Sequence, residues 1–166
     1  MDFWDRLSAA AQRNDILRHP FYVRWSEGKL TRDELALYAG QYAHAVRALA
    51  GASRHAANTA RGDKAAELTG HASEEEAHVD LWSRFATAVG GNPSHAALEE
   101  TAECTSAWSD ADRELLPTLV ALYAIESAQP AISETKRAGL AAHYGMPSGP
   151  GTEYFDVHAV RDHEHA

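Results

Sequence analysis

The near absence of strand patterns constrains the fold of this chain more than any other feature. Residues branched at Cβ are sparse and never alternate with polar residues over a useful length. Alanine, a strong helix former, supplies much of the 45% hydrophobic share. The 166 residues suffice for one ordinary domain with a buried core. We therefore predict an all-α fold, a multi-helix bundle formed as a single domain by residues 1–166.

Helix start and stop signals divide the chain into segments. Asp2 can cap a first helix to about Arg18, and the capping box of Thr31 and Glu34 opens a long helix that ends near Thr59. The later predicted segments are about 63–88 before Gly90-Gly91, a Ser94-capped helix to near Cys104, a Ser109-capped helix interrupted at Pro130 and continuing to about Tyr144, the loop 145–151, and a last helix capped by Thr152.

Charge and cysteine content restrict where and with what the chain works. A formal net charge of −9 argues against nucleic acid as a partner, because phosphates require a basic surface. No stretch approaches the roughly 20 apolar residues of a membrane span, and the N-terminal sequence lacks the pattern of a signal peptide. A single cysteine, Cys104, allows no internal disulfide. These features predict a cytoplasmic protein without a membrane partner.

Ten histidines in a small acidic chain are unusual, and two of them share a face of the last helix. His158, Asp162 and His165 stand at positions i, i+4 and i+7, which lie in one stripe of an α-helix. Two imidazoles and one carboxylate on one face suit a divalent metal ion. A solvated polar face would show the same spacing, but Tyr154 and Phe155 leave few other positions to face a core.

A second histidine and carboxylate cluster lies on the helix predicted over about 63–88. His71, Glu74, Glu75 and His78 occupy one face, and apolar residues such as Trp82 continue near that stripe. This pattern is compatible with ligands turned inward. Taken alone, the pattern favours an acidic, solvated helix face.

Glu126 lies in the strongly apolar segment that precedes Pro130. A carboxylate buried there would be costly unless it is paired or bound to metal. Pro130, four residues later, removes the helical partner of the Glu126 carbonyl, and such irregularities often occur near functional sites. Three helices thus offer inward ligands, as in the dinuclear carboxylate sites of helix bundles, and such a site could hold two irons and activate dioxygen.

The sequence also resembles a known superfamily. The segments 19–25 (HPFYVRW) and 27–31 (EGKLT), followed by Tyr38 and Gln41-Tyr42, are similar to the opening of TenA/PqqC proteins, which have the heme-oxygenase-like helical fold. The resemblance continues through the Glu126 helix to the last helix. It is closest to the heme-oxygenase-like diiron oxidases, and among them to folate-related members that form para-aminobenzoate.

This resemblance implies a set of iron ligands. The matching positions are His78, Glu126, His158, Asp162 and His165. Seven residues before His78 the family has a glutamate, whereas this chain has His71. Either His71 is a ligand, or Glu75 or Glu74 supplies the carboxylate from the next turn. The implied cofactor is two iron ions, with one ion or another divalent metal as alternatives.

The resemblance also implies catalytic residues. In the para-aminobenzoate-forming members a tyrosine of the protein becomes the product and a lysine of the protein donates its nitrogen. The matching residues are Tyr22 and Lys136. Without the resemblance, Tyr22 would be an aromatic core residue and Lys136 a solvated helix lysine beside Glu134. Dioxygen, a reductant and a second copy in a homodimer are the expected partners.

Three other functions compete with an iron-dependent oxidase. A thiaminase-like hydrolase of the TenA branch needs a cysteine on the helix that bears the active-site glutamate, but Cys104 precedes that helix and Tyr42 stands where the branch has aspartate. A metal-free, PqqC-like oxidase and a non-catalytic interaction protein are the other two. Relatives usually continue with another helix that packs on the site. We therefore expect either that this sequence is a fragment or that a neighbouring chain covers its last turn.

Overall fold

The computed structural model describes the backbone of residues 1–165 and the side chains of residues 1–159, and this part of the chain contains helices and no strand. The elements are α1 (Phe3–Arg13), a 3₁₀ turn (Ile16–Arg18), α2 (Pro20–Ser26), α3 (Arg32–Thr59), α4 (Lys64–Ala88), α5 (Glu99–Trp108), α6 (Leu115–Glu126), α7 (Gln129–His143) and α8 (Glu153–His165). The predicted all-α, multi-helix fold is confirmed.

The antiparallel pair α3 and α4 forms the centre of the bundle. The predicted capping box opens α3: the Thr31 hydroxyl accepts from the Glu34 amide at 3.2 Å, and the Glu34 carboxylate accepts from the Thr31 amide at 2.7 Å. The inner face of α3 is mostly alanine, so α4 can approach closely. The Trp82 indole of α4 donates to the Ala39 carbonyl of α3 at 2.8 Å. The predicted bounds of both helices are confirmed to within a residue or two.

The predicted first helix is too long. It ends at Arg13, because the Asn14 amide side chain donates to the Ala10 carbonyl and the chain then turns. Asp15 caps the short 3₁₀ turn, and α2, which the helix signals did not predict, begins at Pro20. Proline is favoured at this position because its missing N–H has no helical partner there.

Two further predicted starts are wrong. Ser94 caps no helix: its amide donates to the Asn92 side chain in a local turn, and α5 begins only at Glu99 and extends beyond Cys104. Ser109 is instead the C-cap of α5. The Asp110 carboxylate accepts a hydrogen bond from the Asp112 amide in another turn. Short polar side chains that compete for nearby backbone amides have in both places formed a turn rather than a helix cap.

The predicted interruption at Pro130 is confirmed. α6 ends at Glu126, and α7 begins at Gln129 with the proline in its first turn. The segment Leu115–His143 includes an 18-residue window of mean hydropathy 1.3 and satisfies the length and composition of a membrane span, contrary to the expectation above. The helix break and the charged residues Lys136 and Arg137 interrupt this segment. The absence of a membrane partner remains a prediction.

The larger hydrophobic core joins α2, α3, α4, α7 and α8. Its fully buried aromatic side chains are Trp25, Trp82, Phe85 and Phe155. A smaller cluster packs α6 on the second half of α3 through Leu122 and Leu49. The four aromatic side chains of the larger core, here called the aromatic layer, come from α2, α4 and α8. Because these helices also carry predicted functional residues, the packing of the layer sets where those residues lie.

Gly139 allows α2 to pack directly on α7. The Trp25 indole donates to the Lys136 carbonyl at 3.0 Å, one turn before Gly139. A Cβ atom at Gly139 would lie 2.6 Å from Trp25 Cδ1 and 2.8 Å from Trp25 Nε1. The rigid, fully buried indole cannot rotate away from such a contact.

We therefore expect Gly139→Ala to lower the free energy of unfolding by about 1–3 kcal/mol, through overpacking. Gly51→Ala on α3 is the matched control, because a Cβ there meets nothing within 4 Å. It should raise the free energy of unfolding by up to about 1 kcal/mol, through helix propensity. Urea unfolding followed by circular dichroism measures both changes, and equal effects at the two positions would contradict this account of the packing.

Candidate metal centre and redox site

Three buried side chains from two helices form a cluster that can hold a metal ion. Glu75 and His78 lie one turn apart on α4, and His158 comes from the first half of α8. One possible ligand atom from each residue lies within 4.8 Å of the others. The three residues are exposed by only 2–7%. Burial of this kind is typical of ligands and rare for unpaired polar side chains.

His158 is oriented as metal-binding histidines usually are. Its Nδ1 lies 2.7 Å from the Tyr154 carbonyl, which can only accept, so Nδ1 carries the proton and Nε2 keeps its lone pair. Burial, together with the neighbouring His78, lowers the pKa of His158 to about 4. The imidazole is therefore neutral near pH 7, which is the form that binds a metal ion.

Glu75 contributes the negative charge of the cluster. Burial raises the pKa of its carboxyl, but His78, His158 and His71 outweigh that effect and hold the pKa below its usual value. Glu75 Oε1 lies 3.1 Å from His78 Nδ1, without the alignment of a hydrogen bond. Within the described residues, Glu75 Oε2 and His78 Nδ1 are buried atoms that lack a hydrogen-bond partner. Two imidazoles and a carboxylate with unpartnered atoms fit a divalent ion such as iron.

His71 and Glu126 form a second group beside this cluster. His71 Nε2 lies 3.1 Å from Glu126 Oε2, and the two side chains are exposed by 18% and 20%. The hydrogen bond to Glu126 raises the pKa of His71. Glu126 Oε1 is buried and lacks a hydrogen-bond partner among the described residues. Glu126 is the last residue of α6, so the break before Pro130 places its carboxylate at the α4 surface.

The remaining predicted ligands are on the second half of α8. The backbone of α8 continues as a helix to His165, which keeps Asp162 and His165 in the stripe of His158. Their side chains lie outside the described residues. Both assignments therefore stay predictions, as do the ligand roles of the other residues.

Lys136 is buried in the aromatic core, and the prediction of a solvated lysine in the absence of the resemblance is wrong. It is 1% exposed, and burial lowers the pKa of its amine to about 7. Its Nζ lies 4.6 Å from the ring centroid of Tyr42, 5.2 Å from that of Tyr38 and 5.4 Å from that of Tyr22. Trp82 and Phe155 complete the enclosure.

Tyr22 lies next to the lysine. It is 9% exposed, and its hydroxyl is 3.4 Å from that of Tyr38. Burial raises the pKa of the Tyr22 phenol, so the hydroxyl keeps its proton at neutral pH. The structure thus brings both predicted catalytic residues into one aromatic chamber.

Trp82 and Tyr154 join the chamber to the metal cluster, a role that the sequence pattern did not assign to them. Trp82 contacts Tyr42 at 4.6 Å and Tyr154 at 4.8 Å between ring centroids, and Tyr154 contacts His158 at 4.1 Å. Gln129, buried at the start of α7, donates to the Tyr42 hydroxyl at 3.3 Å. The spacing of Trp82, four residues after His78, was the available signal, because it places both side chains on one face of α4.

A helical bundle whose buried imidazoles and carboxylates converge from separate helices defines a class of metal-binding redox proteins. A family profile described as iron-containing redox enzyme matches residues 37–166. The chain belongs to this iron-containing, heme-oxygenase-like family, whose fold is all-α. It is an iron-dependent oxidoreductase of the oxidase or oxygenase type.

Three curated relatives carry the same name, 4-aminobenzoate synthase. Those of Chlamydia muridarum (strain MoPn / Nigg) and Chlamydia trachomatis serovar D are each 32% identical, over all of this chain and 75% and 77% of the relative. The relative from Nitrosomonas europaea is 32% identical over 99% of this chain and 75% of its own length. The metal-free and non-catalytic alternatives do not agree with this family. Cys104 lies exposed on α5 rather than on the Glu126 helix, as expected.

The low pKa of Lys136 predicts a pH-dependent stability. Between about pH 7 and 10.5 the unfolded chain binds a proton at this lysine that the folded chain does not, so stability should rise with pH by up to ~1.4 kcal/mol per unit. Lys136→Met removes this dependence. The stability advantage of the Met variant should therefore be constant below pH 7 and shrink by about 2 kcal/mol toward pH 9.

Chemical unfolding of both proteins from pH 6 to 9 measures this difference. Lys64→Met is the matched control, because the Lys64 side chain is 74% exposed, and its effect should not change with pH over that range. A Lys136→Met effect that is equally independent of pH would show that the folded-state amine titrates near its ordinary value.

Proposed function

We propose that this chain makes 4-aminobenzoate in an iron- and dioxygen-dependent oxidation that consumes its own side chains. The Tyr22 side chain would supply the carbon skeleton, its ring the six aromatic carbons and its Cβ the carboxyl carbon, and Lys136 would supply the amino nitrogen. The observation that carries the proposal is the placement of a buried amine 5.4 Å from the centroid of a buried phenol ring, inside a member of this family. The name shared by the relatives supports the identity of the product.

The chamber suits an amine that must react as a free base. An ammonium ion has no lone pair, so nitrogen transfer requires the neutral form of Lys136. Burial brings the pKa of Lys136 to about 7, and about half of the molecules then carry the neutral amine at that pH. The enclosing aromatic rings exclude water and limit the lysine amine to positions among Tyr42, Tyr38 and Tyr22.

Tyr22 is held so that its ring faces the amine. Its phenol packs edge-on against Phe21, with ring centroids 5.3 Å apart, and its hydroxyl meets the Tyr38 hydroxyl. Burial keeps the Tyr22 phenol protonated, and either hydroxyl can donate in the 3.4 Å contact between Tyr22 and Tyr38. Tyr38 thus helps to orient the Tyr22 hydroxyl.

Iron would be held by Glu75, His78 and His158, with Glu126, Asp162 and His165 as proposed further ligands. When bound there, iron supplies the chemistry of dioxygen activation. Dioxygen and a reductant as co-substrates, a cytoplasmic location and a homodimer complete the proposal.

Isotope transfer tests the proposal directly. We expect chain grown with ring-labelled ¹³C-tyrosine and ¹⁵N-lysine, loaded with Fe(II) without oxygen and then exposed to air and a reductant, to release 4-aminobenzoate that carries both labels. Mass spectrometry of the small molecules measures the product, and peptide mapping should find Tyr22 and Lys136 altered. Tyr22→Phe and Lys136→Met should each reduce the yield at least 100-fold.

The exposed residues Tyr123 and Lys64 provide matched controls. Tyr123→Phe and Lys64→Met should leave the yield within twofold, because neither side chain lies in the chamber. Unlabelled 4-aminobenzoate, or product that accumulates while Tyr22 and Lys136 stay intact, would exclude self-consumption and favour a small-molecule substrate.

A further inference from the structure

Glu75, His78 and His158 form a donor set that can hold one ion. Two histidines and one carboxylate leave open coordination positions on an Fe(II) ion, and oxygenases use this combination to admit dioxygen. The three side chains are buried, and their ligand atoms lie within 4.8 Å of one another.

His71 and Glu126 are already bonded to each other. The carboxylate can only accept, so His71 donates its Nε2 proton to Glu126 Oε2 across 3.1 Å. The protonated nitrogen has no lone pair for a metal ion. An ion bound by His71 Nε2 and Glu126 must therefore break this hydrogen bond, which links α4 to the end of α6.

On α4, His71 and Glu75 contact different partners. Glu75 follows His71 by four residues and precedes His78 by three, so all three share one face. The Glu75 carboxylate is turned toward His78 and is 6% exposed, whereas His71 is turned toward Glu126. The carboxylate next to His78 thus comes from one turn further along the helix than position 71.

We propose that the chain holds one iron ion tightly through Glu75, His78 and His158, and that the His71–Glu126 hydrogen bond keeps a second ion from binding with comparable affinity. Glu75 is then the carboxylate that the site requires, and His71 is a positioning residue for Glu126. This inference rests on the proposed function only for iron as the metal.

Iron binding without turnover tests the assignment of Glu75. Anaerobic equilibrium dialysis against Fe(II), with iron per chain determined by elemental analysis, should give one tightly bound ion for the unmodified chain. Glu75→Gln keeps the side-chain shape and removes the charge, so it should weaken this binding at least tenfold. Glu74→Gln, a change of the same kind at the adjacent residue, should leave the affinity within twofold.

His71 provides a test by gain of binding. His71→Glu removes the hydrogen-bond donor and adds a carboxylate beside Glu126, so a second iron ion should bind with an affinity within tenfold of the first. His71→Gln, which keeps a donor for Glu126 and adds no charge, should still hold one ion. Circular dichroism and thermal unfolding of the metal-free variants check that each has folded.

The outcomes separate this inference from the proposed function. Two ions of similar affinity in the unmodified chain, or loss of iron in Glu74→Gln but not in Glu75→Gln, would overturn the inference alone. A folded chain that binds no iron would overturn both. One ion lost in Glu75→Gln and no 4-aminobenzoate on exposure to air would support the inference and overturn the proposed function.

Discussion

Burial of ionisable side chains is the constraint on which the structure depends. Lys136, Glu75, His78 and His158 are all less than 10% exposed in one bundle. An isolated charge is strongly disfavoured in such surroundings, so each group must lose its charge, find a partner or bind an ion. Lys136 and His158 follow the first course, because burial lowers the pKa of both. The Glu75 carboxyl stays acidic beside two imidazoles, and this leaves the metal cluster with negative charge.

The aromatic layer separates the two chemical regions of the protein. Trp82 contacts Tyr42 on one side and Tyr154 on the other, so the lysine chamber and the metal cluster share a wall. Trp25 fixes the other end of the chamber through its bond to the Lys136 carbonyl and its contact with Gly139. The large side chains that make the bundle stable are thus the same ones that set the distance between amine, phenol and metal ligands.

Much of the candidate site was predictable from helical spacing. The residues of α4 and α8 repeat at intervals of three, four and seven, which places them on common faces whatever the tertiary structure. Spacing alone could not tell whether a face is solvated. The α4 stripe shows this, since Glu75 and His78 are buried while Glu76 on the same helix pairs with Arg54 at the surface. Residue type likewise could not predict that Lys136 is buried, because its burial depends on Tyr22, Tyr38 and Tyr42 from other helices.

The sequence by itself determined the all-α class, the bounds of α3 and α4, the break at Pro130 and the ligand-bearing stripes. These features depend on local signals, namely capping residues, proline and helical period. Only the tertiary structure decided that Glu75 and His78 are buried beside His158, that His71 pairs with Glu126 and that Lys136 lies among tyrosines. Each of these contacts joins residues of different helices and so depends on how whole helices are placed. Packing of the aromatic core sets that placement, and no local sequence pattern encodes it.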